Sequence, residues 1–145
     1  MSKAVAPFSW RPDIVGAFSG SGATALAGAL AVPLTQIDVH RFPDKEARVR
    51  VMDCAAVQGR HVALYRSLDD PDSKIIEVLL AASALRDAGA AAVTLVAPYL
   101  CYMRQDKAFN PGEAVSQRAI GALLAQAFDG LVAVDPHLHL SLIHI

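Results

Sequence analysis

Residues 91–116 read AAVTLVAPYLCYMRQDKAFNPGEAVS. Ala91 to Ala97 is a short apolar run closed by Pro98, the kind of run that a parallel sheet buries on both faces. Beyond the proline the chain turns aromatic and ionic: Tyr99 and Tyr102, then Arg104-Gln105-Asp106-Lys107, then the turn Asn110-Pro111-Gly112-Glu113. From Gln117 to Phe128 the apolar residues return at helical spacing. A long loop at the carboxyl end of a buried strand is where an open α/β sheet usually meets its ligand. Arginine brings a planar fork and lysine a compact cation, both suited to phosphate. The same residues would equally make a solvated ionic loop.

Strands and helices alternate along the rest of the chain, with no 20–50-residue repeat. Downstream, Ser116 is predicted to cap a helix whose buried stripe is Ile120, Leu123, Leu124 and Ala127. Leu131 to Val134 comes next as a last strand and delivers Asp135 and His137 to the same edge. Upstream, His61 to Tyr65 is a strand, and RSLDDPDS is a turn-rich connection. Asp72 or Ser73 is expected to cap the next helix, with Asp72 and Glu77 favourable to its dipole. That helix, Lys74 to Ala88, carries Ile75, Ile76, Leu79, Leu80 and Leu85 and closes at Gly89.

Nearer the start, Ile14 to Phe18 is a strand, Ser19 to Gly22 a turn, and Ala23 to Ala31 a helix ended by Pro33. Thr35–His40 and Ala47–Met52 alternate apolar with polar, so Arg41 to Glu46 between them reads as the tip of a β-hairpin flap. Residues 1–12 read as a loosely held tail. The alternation of strands and helices predicts an α/β fold, a mainly parallel sheet flanked by helices on both faces.

With 145 residues, 54% hydrophobic and 19% charged, the chain suits one globular domain with a real core. A net charge of −1 provides no basic field for nucleic acid. No apolar run reaches the roughly 18 residues of a membrane helix, and a start interrupted by Pro7, Trp10 and Pro12 makes a poor secretory signal. Cys54 and Cys101 lack CxxC spacing and read as reduced cytosolic thiols. His137 and His139 suggest zinc, but no further Cys/His cluster accompanies them.

PYLCYMRQDK (98–107) with the PGE downstream resembles the nucleotide-binding loop of the ribose-phosphate diphosphokinases, the 5-phosphoribosyl 1-diphosphate (PRPP) synthases. Arg41-Phe42-Pro43-Asp44-Lys45-Glu46 resembles that family's RFPDGE segment, and Val134-Asp135-Pro136-His137 its VDLH metal segment. The resemblance runs from Ile14 to His137 and covers the amino-terminal half of a family member. It implies a type I phosphoribosyltransferase-like fold and a cytoplasmic homo-oligomer with the nucleotide at a subunit interface. It also implies transfer of the diphosphoryl group of Mg·ATP to ribose 5-phosphate, giving PRPP and AMP for nucleotide biosynthesis.

By the same resemblance, Phe42 would pack on the purine of ATP in a neighbouring subunit. Asp44 and Glu46 would accept from its amino group or ribose hydroxyls. Arg104 would lie along the purine or touch the phosphates, Gln105 would hydrogen-bond the nucleotide, and Lys107 would add positive potential. His137 would help to hold Mg²⁺, with Asp135 as ligand or orienter. Lys45 stands where the family has glycine, at a position suited to positive φ, and Pro136 where it has leucine.

On this reading residues 1–139 are the ATP-binding domain. Residues 140–145 do not resemble the family's continuation, and the second domain, with its ribose-phosphate loop and catalytic lysine, is not found. The expectation is a truncated reading frame whose isolated chain binds nucleotide weakly and makes no PRPP. Two rivals stand beside it. One is a non-catalytic PRPP-synthase-associated regulatory subunit. The other is a type I phosphoribosyltransferase, ranked lower because no two-acid PRPP loop is present.

Overall fold

The computed structural model describes residues 10–134. Elements run in the order β1 (Ile14–Ala17), α1 (Ser21–Leu30), β2 (Leu34–Arg41), β3 (Ala47–Val51), α2 (Cys54–Val57), β4 (His61–Tyr65), α3 (Pro71–Asp87), β5 (Ala92–Ala97), α4 (Ser116–Ala127) and β6 (Gly130–Ala133). Among the described residues the strands form one six-stranded sheet of order β3-β2-β1-β4-β5-β6. All neighbours are parallel except β2 and β3, which pair antiparallel from Ile37↔Val51 to Arg41↔Ala47. The expected hairpin flap is therefore present at one edge of a mainly parallel sheet.

The inner strands explain their own position. β1 is buried throughout and β4 and β5 nearly so, as continuous apolar runs must be when helices cover both faces. Val62, Leu64, Val93 and Leu95 pack with Val78 and Leu85 of α3 and Leu124 of α4. Val15, Ala17, Ala63 and Val96 pack on the other face with Ala23 and Ala27 of α1. The alternation of Val62, Ala63 and Leu64 between these two clusters is the period-two geometry of a strand. From β1 the chain first builds outward to β2 and β3, then returns to the other side of β1 for β4, β5 and β6. The order reverses between β1 and β4, and the carboxyl ends there are the sheet's switch point.

Several local expectations are corrected. α3 starts at Pro71, with Asp70 as N-cap in the left-handed region and no side-chain cap. Asp72 and Ser73 thus lie inside the first turn, because proline is well suited to N1. Ile76 and Leu80 are 49% and 39% exposed, and the buried stripe is instead Ile75, Val78, Ala81, Ala82 and Leu85, with Glu77 at 5%. Ser116 is the first helical residue of α4, not its cap, and Leu123 is exposed while Gln117 is buried. The short helix α2, capped by Asp53 through the Ala56 N–H at 3.1 Å, has no counterpart in the sequence-based expectations. Of the supposed tail, Pro12 is fully buried and Trp10 donates its indole N–H to His61 at 3.0 Å.

Candidate functional site

The loop from 98 to 115 leaves β5 at the carboxyl edge and is fixed at several points. The Leu68 N–H donates to the Tyr99 carbonyl at 2.9 Å, while Leu100, Cys101 and Met103 are buried beneath it. Tyr102, at φ +60°, gives its phenol O–H to Asp72 on α3, and that bond pushes the Tyr102 pKa up. The first turn of α4 reaches back, the Gln117 N–H donating to the Gln105 carbonyl at 3.2 Å.

Glu113 gathers the second half of the loop. Its carboxylate accepts from the Asn110 side chain, from the Phe109 N–H at 2.9 Å and from Gln105 Nε2 at 3.3 Å. These donors favour the charged form, the Asn110 amide most, and hold the Glu113 pKa below the usual carboxylate range.

This scaffold sets Arg104 and Gln105 on the wall of a cleft of about 640 Å³, opposite Asp69, Asp70 and Asp72 at the start of α3. Asp69 is paired with Lys74 at 2.9 Å, which lowers its pKa. Lys107 is not among the cleft's lining residues; its ammonium stands 5.6 Å from the centroid of the Phe109 ring.

The flap forms the other candidate surface. The Phe42 N–H donates to the Glu46 carbonyl and the Lys45 N–H to the Phe42 carbonyl, both at 2.9 Å. Asp44 Oδ1 accepts from the Glu46 N–H at 3.1 Å, the short-range turn an aspartate favours. Lys45 sits at φ +73°, so the lysine has taken a conformation that glycine adopts without cost. Asp44 and Glu46 border a cleft of about 730 Å³ with Ser73 and Ile76 of α3. Phe42 is 42% exposed, its ring edge-on to His40 with centroids 5.0 Å apart.

Within one chain, then, Arg104 and Gln105 border one cleft, and Asp44 and Glu46 border another. Asp135 and His137 lie outside the described residues. Among the described residues no group of three or more His, Cys, Asp or Glu side chains is arranged to hold a metal. Sequence reasoning missed Asp69, Asp70 and Asp72 as cleft walls and Glu77 as a buried partner of Arg41 and Arg66. The DDPD run was the one signal for the first, and nothing local marks the second.

Residues 16–127 match the family described as the N-terminal domain of ribose phosphate pyrophosphokinase. The chain belongs to that family. Its relatives include the ribose-phosphate pyrophosphokinase of Halobacterium salinarum, 40% identical over 122 residues, covering 84% of this chain and 42% of that protein. That of Saccharolobus solfataricus is 37% identical over 115 residues, covering 78% and 39%. The crystal structure of the phosphoribosylpyrophosphate synthetase from Mycobacterium smegmatis superimposes with a TM-score of 0.73 at 27% identity, over 87% of this chain and 43% of that one. The chain therefore spans about two fifths of the length of the curated relatives it matches. The family is one of enzymes, and its mostly parallel α/β fold is the fold described above. Among the described residues no helix is long and apolar enough to cross a membrane.

Proposed function

We propose that this chain is the nucleotide-binding domain, residues 1–139, of a cytoplasmic ribose-phosphate pyrophosphokinase. The reaction is transfer of the β,γ-diphosphoryl group of Mg·ATP to the 1-hydroxyl of ribose 5-phosphate. The observation that carries this reading is the placement of Arg104 and Gln105 in a cleft at the carboxyl edge of the sheet.

The ribose oxygen attacks the β-phosphorus in line, the bond from β-phosphorus to the α,β-bridging oxygen breaks, and AMP leaves. Such chemistry is mostly positioning and charge neutralisation. Arg104 offers its fork to purine or phosphate. Gln105, whose amide rests on Glu113 at 3.3 Å, turns to the nucleotide, and Lys107 adds positive potential from the rim. Phe42, Asp44 and Glu46 reach the purine and ribose of a nucleotide bound by a neighbouring copy, which makes a homo-oligomer part of the proposal.

Mg²⁺ bound with the ATP would supply neutralisation of the phosphate charge. Asp135 and His137 are the residues proposed to meet it, the carboxylate being the harder donor. The aspartates facing Arg104 also favour a metal-complexed triphosphate over a free one. The chain spans about two fifths of its relatives' length, and Mg·ATP binding is the part of this function expected of the residues named here.

Isothermal titration with Mg·ATP tests this, comparing the native chain with Arg104→Ala. Loss of a charge-assisted contact should weaken binding about tenfold or more. A folded chain that shows no saturable binding overturns the proposal and favours the non-catalytic subunit.

A further inference from the structure

The flap is joined to the sheet's switch point by a chain of charge contacts centred on a buried carboxylate. Glu77, on the second turn of α3, is 5% exposed, and its two oxygens are taken by different arginines: Oε1 by Arg41 and Oε2 by Arg66. Arg66 comes directly after β4 and lies with its guanidinium 4.4 Å over the ring of Phe18, which comes directly after β1. Arg41 ends β2, and its other guanidinium nitrogen donates to the carbonyl of Lys45 at the flap tip, 3.2 Å away. One carboxylate thus connects Phe18 and Arg66 at the switch point to the Phe42–Glu46 turn.

We infer that Glu77 is a positioning residue for the flap. It touches no substrate. It holds Arg41, and through Arg41 the tip turn, at a set place relative to the carboxyl edge of the sheet. The physical ground is the cost of breaking such an arrangement. A carboxylate this buried needs its partners, and an arginine without an anchor returns to free rotamers and stops restraining the turn. The consequence for binding rests on the proposed function, because it takes Phe42, Asp44 and Glu46 as nucleotide contacts. The restraint itself does not.

Amide hydrogen exchange on the whole chain, native against Glu77→Gln, reads the restraint directly. The reporters are the Phe42 and Lys45 amides, which close the tip turn. They should exchange at least about tenfold faster in the variant while the amides of β1, β4 and β5 keep their protection. Arg41→Lys alters only the exposed end of the connection, keeps the charge and loses the fork. It should release the same two amides if Glu77→Gln fails to fold. Titration with Mg·ATP on the same samples reads the consequence, an affinity about tenfold weaker in the released variants.

Unchanged flap exchange in a folded variant overturns the inference. A released flap that leaves a measured native affinity intact upholds the restraint and overturns its consequence for binding. Released amides in a protein whose native form binds no Mg·ATP would uphold the restraint and remove the nucleotide reading alone.

Discussion

Lys45→Gly should make this protein more stable. Lys45 is exposed and holds φ +73°, a region that costs an L-residue about 1–2 kcal/mol and glycine almost nothing. Against that gain, glycine has more backbone freedom to lose on folding, about 0.5–1 kcal/mol. The difference is a stabilisation of about 0.5–1 kcal/mol. For a chain of this length that corresponds to a rise of about 1–4 °C in Tm. The strain registers in global unfolding because the tip turn is tied to α3 through Arg41 and Glu77. Loss of the lysine charge beside Asp44 and Glu46 acts in the opposite direction, costing about 0–1 kcal/mol on an exposed turn. Lys45→Ala separates the two, since it removes the charge and keeps the Cβ. Urea and thermal unfolding of the three proteins should show a gain for glycine and none for alanine. An equal gain for alanine, or no gain for glycine, would refute the strain argument.

Close contacts elsewhere set two further outcomes. A Cβ at Gly22 would lie 2.1 Å from the Tyr65 Oη and 2.6 Å from its Cζ. Gly22→Ala should therefore destabilise by about 1–3 kcal/mol in urea, and Tyr65→Leu should recover much of the loss; an undisturbed midpoint in Gly22→Ala would contradict the packing. Asp129 Oδ2 accepts from the Val93 N–H at 2.8 Å and pairs with Arg86 at 3.1 Å, and the Val93 bond, then the arginine, hold its pKa below the usual value. A depressed folded pKa contributes stability above the unfolded value near 4 that is lost as pH falls through the folded one. The gap in urea midpoint between native protein and Asp129→Asn should accordingly be largest near pH 6 and narrow towards pH 3; a gap independent of pH would rule this role out.

The elements that sequence periodicity located best are those whose burial is symmetric. His61–Tyr65 is a strand over the expected residues because apolar side chains are wanted on both faces, whatever the neighbours. The hairpin was legible for the complementary reason, its alternation announcing one buried face. Helix faces were less legible. Ile76 and Leu80 are as apolar as Ile75, yet they are exposed, while the small Ala81 and Ala82 are buried in the core cluster. Spacing cannot choose between two apolar stripes on one helix; the contact does.

The site shows the same division. Arg104 and Gln105 could be placed on a loop at the sheet's edge because strand, loop and helix are consecutive in sequence. The acidic wall opposite them depends on α3 starting at Pro71 rather than later. Glu77 was read as a dipole partner because its arginines are 36 and 11 residues away, and no local pattern reports such distances.

The flap shows why that long-range contact matters to a local rule. A lysine at positive φ survives only where its surroundings over-determine the turn. Besides the backbone bond to Phe42, the Arg41 side chain reaches the strained residue at the Lys45 carbonyl. Alone it is poorly matched to the task, since a free arginine carries about 2 kcal/mol of rotamer entropy, comparable to the roughly 1–2 kcal/mol of strain to be offset. Glu77 changes the balance by fixing the arginine beforehand, so that the bond to the turn forms with little further loss of freedom. Arg66, stacked on Phe18, fixes Glu77 in the same way from the other side. A lysine where glycine would carry no strain is thus tolerated because the restraint begins in the core and ends at the tip.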